Sequence, residues 1–203
     1  RHIVTIPEIE IPGHSVAALA SYPWLGCTGG PYKVRVKWGI SEDVMCIGKE
    51  TTWQFIRDVL DEVCQLFPGE LIHIGGDETP RKKWSECPDC QALMKKEGMT
   101  EEAQLQSWIT TKVENYLETK GKRIIGWDEV LEGGVSTKCV VMSWLKGSVG
   151  GQKAAGLGND VIMTDKYHCY FDCYQTDTRE GELFAHKRNI PLEKVWSYNP
   201  IGG

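Results

Sequence analysis

The sequence runs to 203 residues, 41% apolar and 25% charged, a composition that excludes a disordered or fibrous chain and suffices for one domain core. A formal charge of −5 with no concentrated Lys/Arg face excludes a nucleic-acid footprint. No apolar run approaches the ~20 residues that cross a bilayer, and the sequence begins at Arg1 without a basic-then-apolar leader, which leaves export open.

Residues 2–9 form a β-branched run, Pro12-Gly13 breaks it, and residues 14–20 read as a short helix, so a strand ends in a loop that carries His14. Residues 22–49, rich in Gly, Pro and aromatics and without a period, read as an irregular excursion that walls a loop. Thr51 is the expected N-cap of a helix on which Trp53, Ile56, Leu60, Val63 and Phe67 recur until Pro68-Gly69 stops it. A strand follows at 70–75. A second helix begins near Glu101 and carries Leu105, Trp108, Ile109, Val113, Tyr116 and Leu117 on one face before Gly121 closes it. Trp53 and Trp108, on apolar stripes, are expected in the core. Residues 123–127, 139–144 and 160–164 complete the strands, with a Gly- and Ala-rich helix at 149–157.

Alternating strands and helices with short connections predict the α/β class with parallel strands, and no Pro/Ser linker divides residues 1–203 into separate domains. An open doubly wound sheet and a (β/α)8 barrel both begin this way. His14, Asp77, Glu78, Trp127, Asp128, Trp144, Tyr170 and Asp172 all fall at or beyond the C-terminal ends of successive strands, the arrangement of barrel enzymes. The chain is therefore expected to be a partial TIM barrel with about five of its eight strand-helix units.

Of the eight cysteines, Cys27 and Cys46 bracket a Gly-rich loop and can pair, while Cys64 and Cys139 lie in apolar runs and read as buried thiols. Cys87-Pro88-Asp89-Cys90 is a single C-x-x-C. A structural zinc site needs two further ligands, which no second C-x-x-C supplies, so neither metal nor cofactor is predicted. A thioredoxin-like role is disfavoured, because the motif follows a Trp-rich loop and not a strand-to-helix start.

The sharpest chemical feature is His73-Ile74-Gly75-Gly76-Asp77-Glu78. Two adjacent carboxylates in a partly dry site cannot both ionise easily, so one can stay protonated as a general acid. Strand alternation would point them to opposite faces, and Gly75-Gly76 lets the backbone leave that geometry so that both serve one pocket. In isolation Asp77-Glu78-Thr79-Pro80 also reads as an acidic helix cap, and the flanking motifs decide between the two.

Those motifs are Ile6-Pro7-Glu8-Ile9-Glu10-Ile11-Pro12-Gly13-His14, the 73–78 segment, Gly126-Trp127-Asp128-Glu129, Met142-Ser143-Trp144 and Tyr170-Phe171-Asp172. In order and approximate spacing they resemble the signatures after the third to seventh barrel strands of the family 20 glycoside hydrolases, the β-N-acetylhexosaminidases. The resemblance implies substrate-assisted retaining hydrolysis of terminal β-linked GlcNAc or GalNAc from a glycan or glycoconjugate, without an enzyme nucleophile. It implies Glu78 as general acid/base and Asp77 as the group that orients the 2-acetamido substituent. His14 would tune the acid/base, Trp127 and Trp144 would wall the acetamido pocket, Tyr170 would donate to the acetamido oxygen, and Asp172 would bind a sugar hydroxyl. Glu10 stands where the family often has Asp and carries over a supporting hydrogen-bond role. An extracytoplasmic location, periplasmic or secreted, is implied for the parent protein.

The family's arginine on barrel strand 1, its acidic residue on strand 2 and its Trp-x-Glu after strand 8 have no counterpart, and Arg1 and Trp196-Ser197-Tyr198 do not replace them. These residues alone are therefore expected to be inactive, and the competing expectation is a sugar-binding remnant. A metal centre of His14, His73 and Asp77 is disfavoured by the lack of an H-x-H or H-E-x-x-H pair. The chitinase series D-x-x-D-x-D-x-E is absent around Asp77.

Overall fold

Four short strands lie in one parallel sheet in chain order: β1 (Leu71–His73), β2 (Arg123–Trp127), β3 (Val140–Ser143) and β4 (Val161–Met163). The computed structural model describes residues 2–201. Leu71 pairs with Arg123, Ile125 with Val140 and Val141 with Val161, all in parallel register. Ile72, Ile124, Ile125, Val140 and Val141 are buried, the near-continuous apolar content of strands covered on both faces.

The expected strand at 2–9 is shifted and shortened. His73 donates its N–H to Pro7 O at 2.9 Å, Ile9 donates to His73 O at 2.8 Å, and Ile11 donates to Ile74 O at 3.0 Å. Residues 7–11 thus run parallel to β1, while 2–6 are exposed. Pro7 and Pro12 lack the N–H that a longer ladder needs. Counting this segment, five parallel lines of chain form the arc of an α/β barrel.

The helices are α1 (Val16–Ser21), α2 (Glu50–Leu66), α3 (Lys82–Ser85), α4 (Pro88–Glu97), α5 (Ala103–Glu118), α6 (Val149–Leu157) and α7 (Leu192–Trp196). α2 buries Trp53, Ile56, Leu60 and Val63, and α5 buries Leu105, Ile109, Val113 and Leu117, the stripes that the helical period predicts. α2 opens two residues early: Lys49 flanks it without a side-chain cap, and Thr51 lies inside the first turn. Trp53 is core, but Trp108 is only half-buried, with Lys112 Nζ 4.6 Å and 4.5 Å from the two ring centroids.

α3 and α4 fill a stretch that periodicity leaves blank. α4 has Cys87 at its N-cap, Pro88 in its first turn and Gly98 in the left-handed conformation at its end. The C-x-x-C motif therefore sits at a helix start, but one that follows α3 and not a strand. The 22–49 excursion is more than a wall, since Val44, Met45, Cys46 and Ile47 enter the core. It is tied down by Met45 N–H on Pro12 O (3.1 Å), Cys46 N–H on Leu25 O (2.7 Å) and the fully buried Trp84, whose indole N–H donates to Met45 O at 2.9 Å.

All eight cysteines are free, so Cys27 and Cys46 form no disulfide. Cys139 is buried as expected, whereas Cys64 is half-buried. Beyond β4, β5 (Cys173–Tyr174) and β6 (His186–Asn189) form a separate two-stranded sheet too short to show a period in the sequence. Among the described residues no helix is long and apolar enough to cross a membrane.

Candidate active site

At the C-terminal end of β1 the backbone leaves extended geometry. Gly75 and Gly76 have φ of 67° and 92°, and Glu78 itself has φ of 45°. A side chain larger than Gly at 75 would collide with the Glu10 carboxylate. Glu78 in the left-handed region is strained, a state that persists where the surroundings over-determine it. The result is that both acids face the same loop: His14 Nε2 is 3.3 Å from Asp77 Oδ2 and 3.3 Å from Glu78 Oε2. Close approach of the two loops needs Gly13, where a Cβ would sit 2.9 Å from Asp77 O.

Burial raises the Asp77 pKa, and the His14 imidazole beside it pulls the other way. Asp77 Oδ1 is buried without a hydrogen-bond partner. Glu10 is pushed up to about 8, first by burial and then by the charges of Asp77 and Glu8. Its Oε2 is likewise buried and unpartnered, consistent with a carboxyl that keeps its proton at neutral pH. Burial also lowers the His73 pKa, and its Nδ1 accepts the Gly75 N–H at 3.0 Å. His73 is thus committed to the strand end and does not join His14 and Asp77 in a metal centre.

An aromatic row adjoins the acids. Trp127 meets Trp144 edge-on at 6.4 Å between centroids, and Trp144 stacks on Tyr170 at 6.0 Å with planes 21° apart. Carboxylates hold both indoles: Trp127 Nε1 donates to Glu8 at 2.8 Å and Trp144 Nε1 to Glu129 at 3.1 Å. Asp128 Oδ2 accepts the backbone N–H groups of Trp144 (2.7 Å) and Leu145 (2.8 Å). Burial pushes the Tyr170 hydroxyl above the usual phenol range, and the charge of Asp77 adds to the rise. Burial raises Glu129 as well. Glu78, Thr79, Gln106 and Glu129 share an open cleft of about 350 Å³.

The structure therefore brings His14, Asp77 and Glu78 into contact and lines up Trp127, Trp144 and Tyr170. Asp172 stands apart: it is exposed, and its carboxylate faces the Cys173 thiol at 3.6 Å. Sequence patterning places Asp128 at a strand end but gives it no role, and it does not single out Glu8 or Glu129 as site residues. Each lies inside a motif quoted above; Asp128 and Glu129 directly follow Trp127, whereas no tryptophan lies near Glu8 in the sequence.

The family model "Glycosyl hydrolase family 20, catalytic domain" matches residues 1–202. The Beta-hexosaminidase of Porphyromonas gingivalis is 48% identical over 202 residues, which cover 99% of this chain and 26% of that protein. The Beta-hexosaminidase of Vibrio furnissii is 37% identical over 203 residues, 99% of this chain and 33% of that protein. Among solved structures, the beta-N-acetylhexosaminidase from Bacteroides fragilis superposes with a TM-score of 0.85 at 32% identity, covering 98% of this chain and 40% of that one. The exo beta-N-acetylglucosaminidase from Vibrio harveyi, solved in complex with N-acetylglucosamine, gives 0.81 at 32% identity, covering 98% and 31%. The chain thus spans a quarter to two fifths of the length of these relatives. With the model matched from end to end and the parallel arc superposing on these structures, the chain belongs to glycosyl hydrolase family 20.

Proposed function

We propose that the protein of which these residues are part removes terminal β-linked N-acetylhexosamine from glycans by substrate-assisted retaining catalysis. The observation that carries this reading is Asp77 Oδ1, a buried acceptor without a partner, beside a half-exposed Glu78 and an aromatic row. An acetamido N–H supplies the missing donor. Asp77 then orients the acetamido oxygen toward the anomeric carbon and offsets the positive charge that develops as the oxazolinium ring closes, an interaction stronger in the transition state than in the ground state. Glu78 gives its proton to the departing glycosidic oxygen and takes one from the water that opens the ring.

Trp127 and Trp144 offer flat apolar faces to the acetamido methyl and the pyranose ring. Tyr170, whose hydroxyl keeps its proton, donates to the acetamido oxygen. Asp172 takes a sugar hydroxyl from its exposed position. We place the enzyme outside the cytoplasm, in the periplasm or secreted, in keeping with the degradation of glycans.

The test is Glu78→Gln in the protein at its natural length. Turnover of an N-acetylglucosaminide with a poor leaving group should fall ~10²–10⁴-fold, and less for an activated aryl leaving group that departs without protonation. Equal turnover on the poor substrate refutes the role. Retained sugar binding without turnover in the unmodified protein favours the binding-remnant reading instead.

A further inference from the structure

We propose that Cys27, Cys46, Cys87 and Cys90 form a tetrathiolate site that binds one structural zinc ion. The four sulfur atoms lie within 4.8 Å of one another. Cys46 Sγ is 3.6 Å from Cys87 Sγ and 3.7 Å from Cys90 Sγ. Zinc–sulfur bonds of ~2.3 Å in a tetrahedron place neighbouring sulfurs about 3.8 Å apart, whereas a disulfide brings them to ~2.05 Å. The two Cys46 distances match that tetrahedral spacing.

The two arms arrive from different parts of the fold. Cys87 and Cys90 are the flanking residue and first turn of α4, the C-x-x-C half of the site. Cys27 and Cys46 come from the two ends of the irregular excursion, brought side by side by the antiparallel bridge between Gly26 and Met45. The chain just after Cys46 is pressed onto the other arm, since any Cβ at Gly48 would overlap the backbone of Asp89 and Cys90. The missing second C-x-x-C is thus replaced by two cysteines that the bridge brings together, their sulfurs within 4.8 Å of the other two.

Cys46, Cys87 and Cys90 are buried and Cys27 is half-buried. Thiols are weak hydrogen-bond donors and acceptors, so four of them facing one another gain little from mutual contact. Soft thiolates in tetrahedral array select zinc among the common divalent ions. Four protein ligands leave no open position for substrate or water, which makes the site structural and not catalytic. Bound there, the ion ties the excursion to the start of α4, a short helix downstream of Asp77 and Glu78. The inference does not depend on the proposed reaction.

The experiment is elemental analysis of the protein at its natural length, purified under reducing conditions without chelator, with zinc release followed by a chromophoric chelator during titration with an organomercurial. One equivalent of zinc, released as thiols are consumed, is expected, and Cys46→Ser and Cys90→Ser should each lose it. Should either variant fail to fold, cobalt(II) substitution of the parent protein decides: intense visible bands with thiolate-to-cobalt charge transfer in the near ultraviolet support the site. Metal-free protein that takes up neither zinc nor cobalt overturns it. So does iron in place of zinc, or mass spectrometry of unreduced peptides showing disulfides among the four cysteines.

Discussion

Glu10 has an ordinary carboxyl pKa of 4.5 and stands at about 8 in the fold. Between those values the native chain holds a proton that the unfolded chain has released, so stability falls as pH rises through that window and levels off above it. Glu10→Gln removes this contribution. Its melting temperature should gain on the parent at about pH 8.5 and much less at about pH 5, and equal shifts at both would contradict the assignment. Gly75 lies directly against the same carboxylate with φ of 67°. Gly75→Ala combines a left-handed Ala with a collision and should cost about 1–3 kcal/mol in chemical denaturation; a neutral result would mean that Glu10 swings away freely. Asp77 and Glu78 stand out in the sequence only through the motifs that flank them, since the pair alone also reads as an acidic helix cap. Glu10 is marked there only as a supporting acid, since its raised pKa comes from burial and from the Asp77 and Glu8 charges, which no local pattern shows.

At the scale of elements, α2 and α5 are read correctly because each is long enough for four or five apolar residues to repeat on one face. α3 and α4 escape because one spans only four residues and the other alternates buried Cys90 and Met94 with charged positions. The first strand is misplaced for a different reason: β-branched content marks residues 2–6, but with prolines at 7 and 12 only residues 7–11 pair with β1. Trp84 shows what the blank stretch contains. It is fully buried and donates to Met45 O, joining α3 to the excursion. Trp84→Ala should destabilise by about 3–5 kcal/mol, read from the denaturation midpoint at unchanged slope, and a loss below about 1 kcal/mol would show that the two segments do not depend on each other.

Across the whole molecule, the alternation of strand and helix predicts a parallel arc, and the arc sets His14, Asp77, Glu78, Trp127, Trp144 and Tyr170 at one end of the sheet. This much is visible in the sequence because each residue follows its own strand. What joins one strand's residue to the next strand's is not visible: Glu8 reaches Trp127, and Asp128 and Glu129 reach Trp144, across separations that no local pattern encodes. The cysteine tetrad is hidden for the same reason. Glu8→Gln and Trp127→Phe, measured singly and together on KM and stability, should be non-additive by about 0.5–3 kcal/mol, and strict additivity would show that the indole is held by packing alone. The carboxylate grip on each indole also bears on how such a pocket can change over time. A tryptophan replaced on its own strands an acid against an apolar wall, and an acid replaced on its own loosens a ring, so the row is reshaped more readily by paired substitutions on neighbouring strands than by any series of single ones.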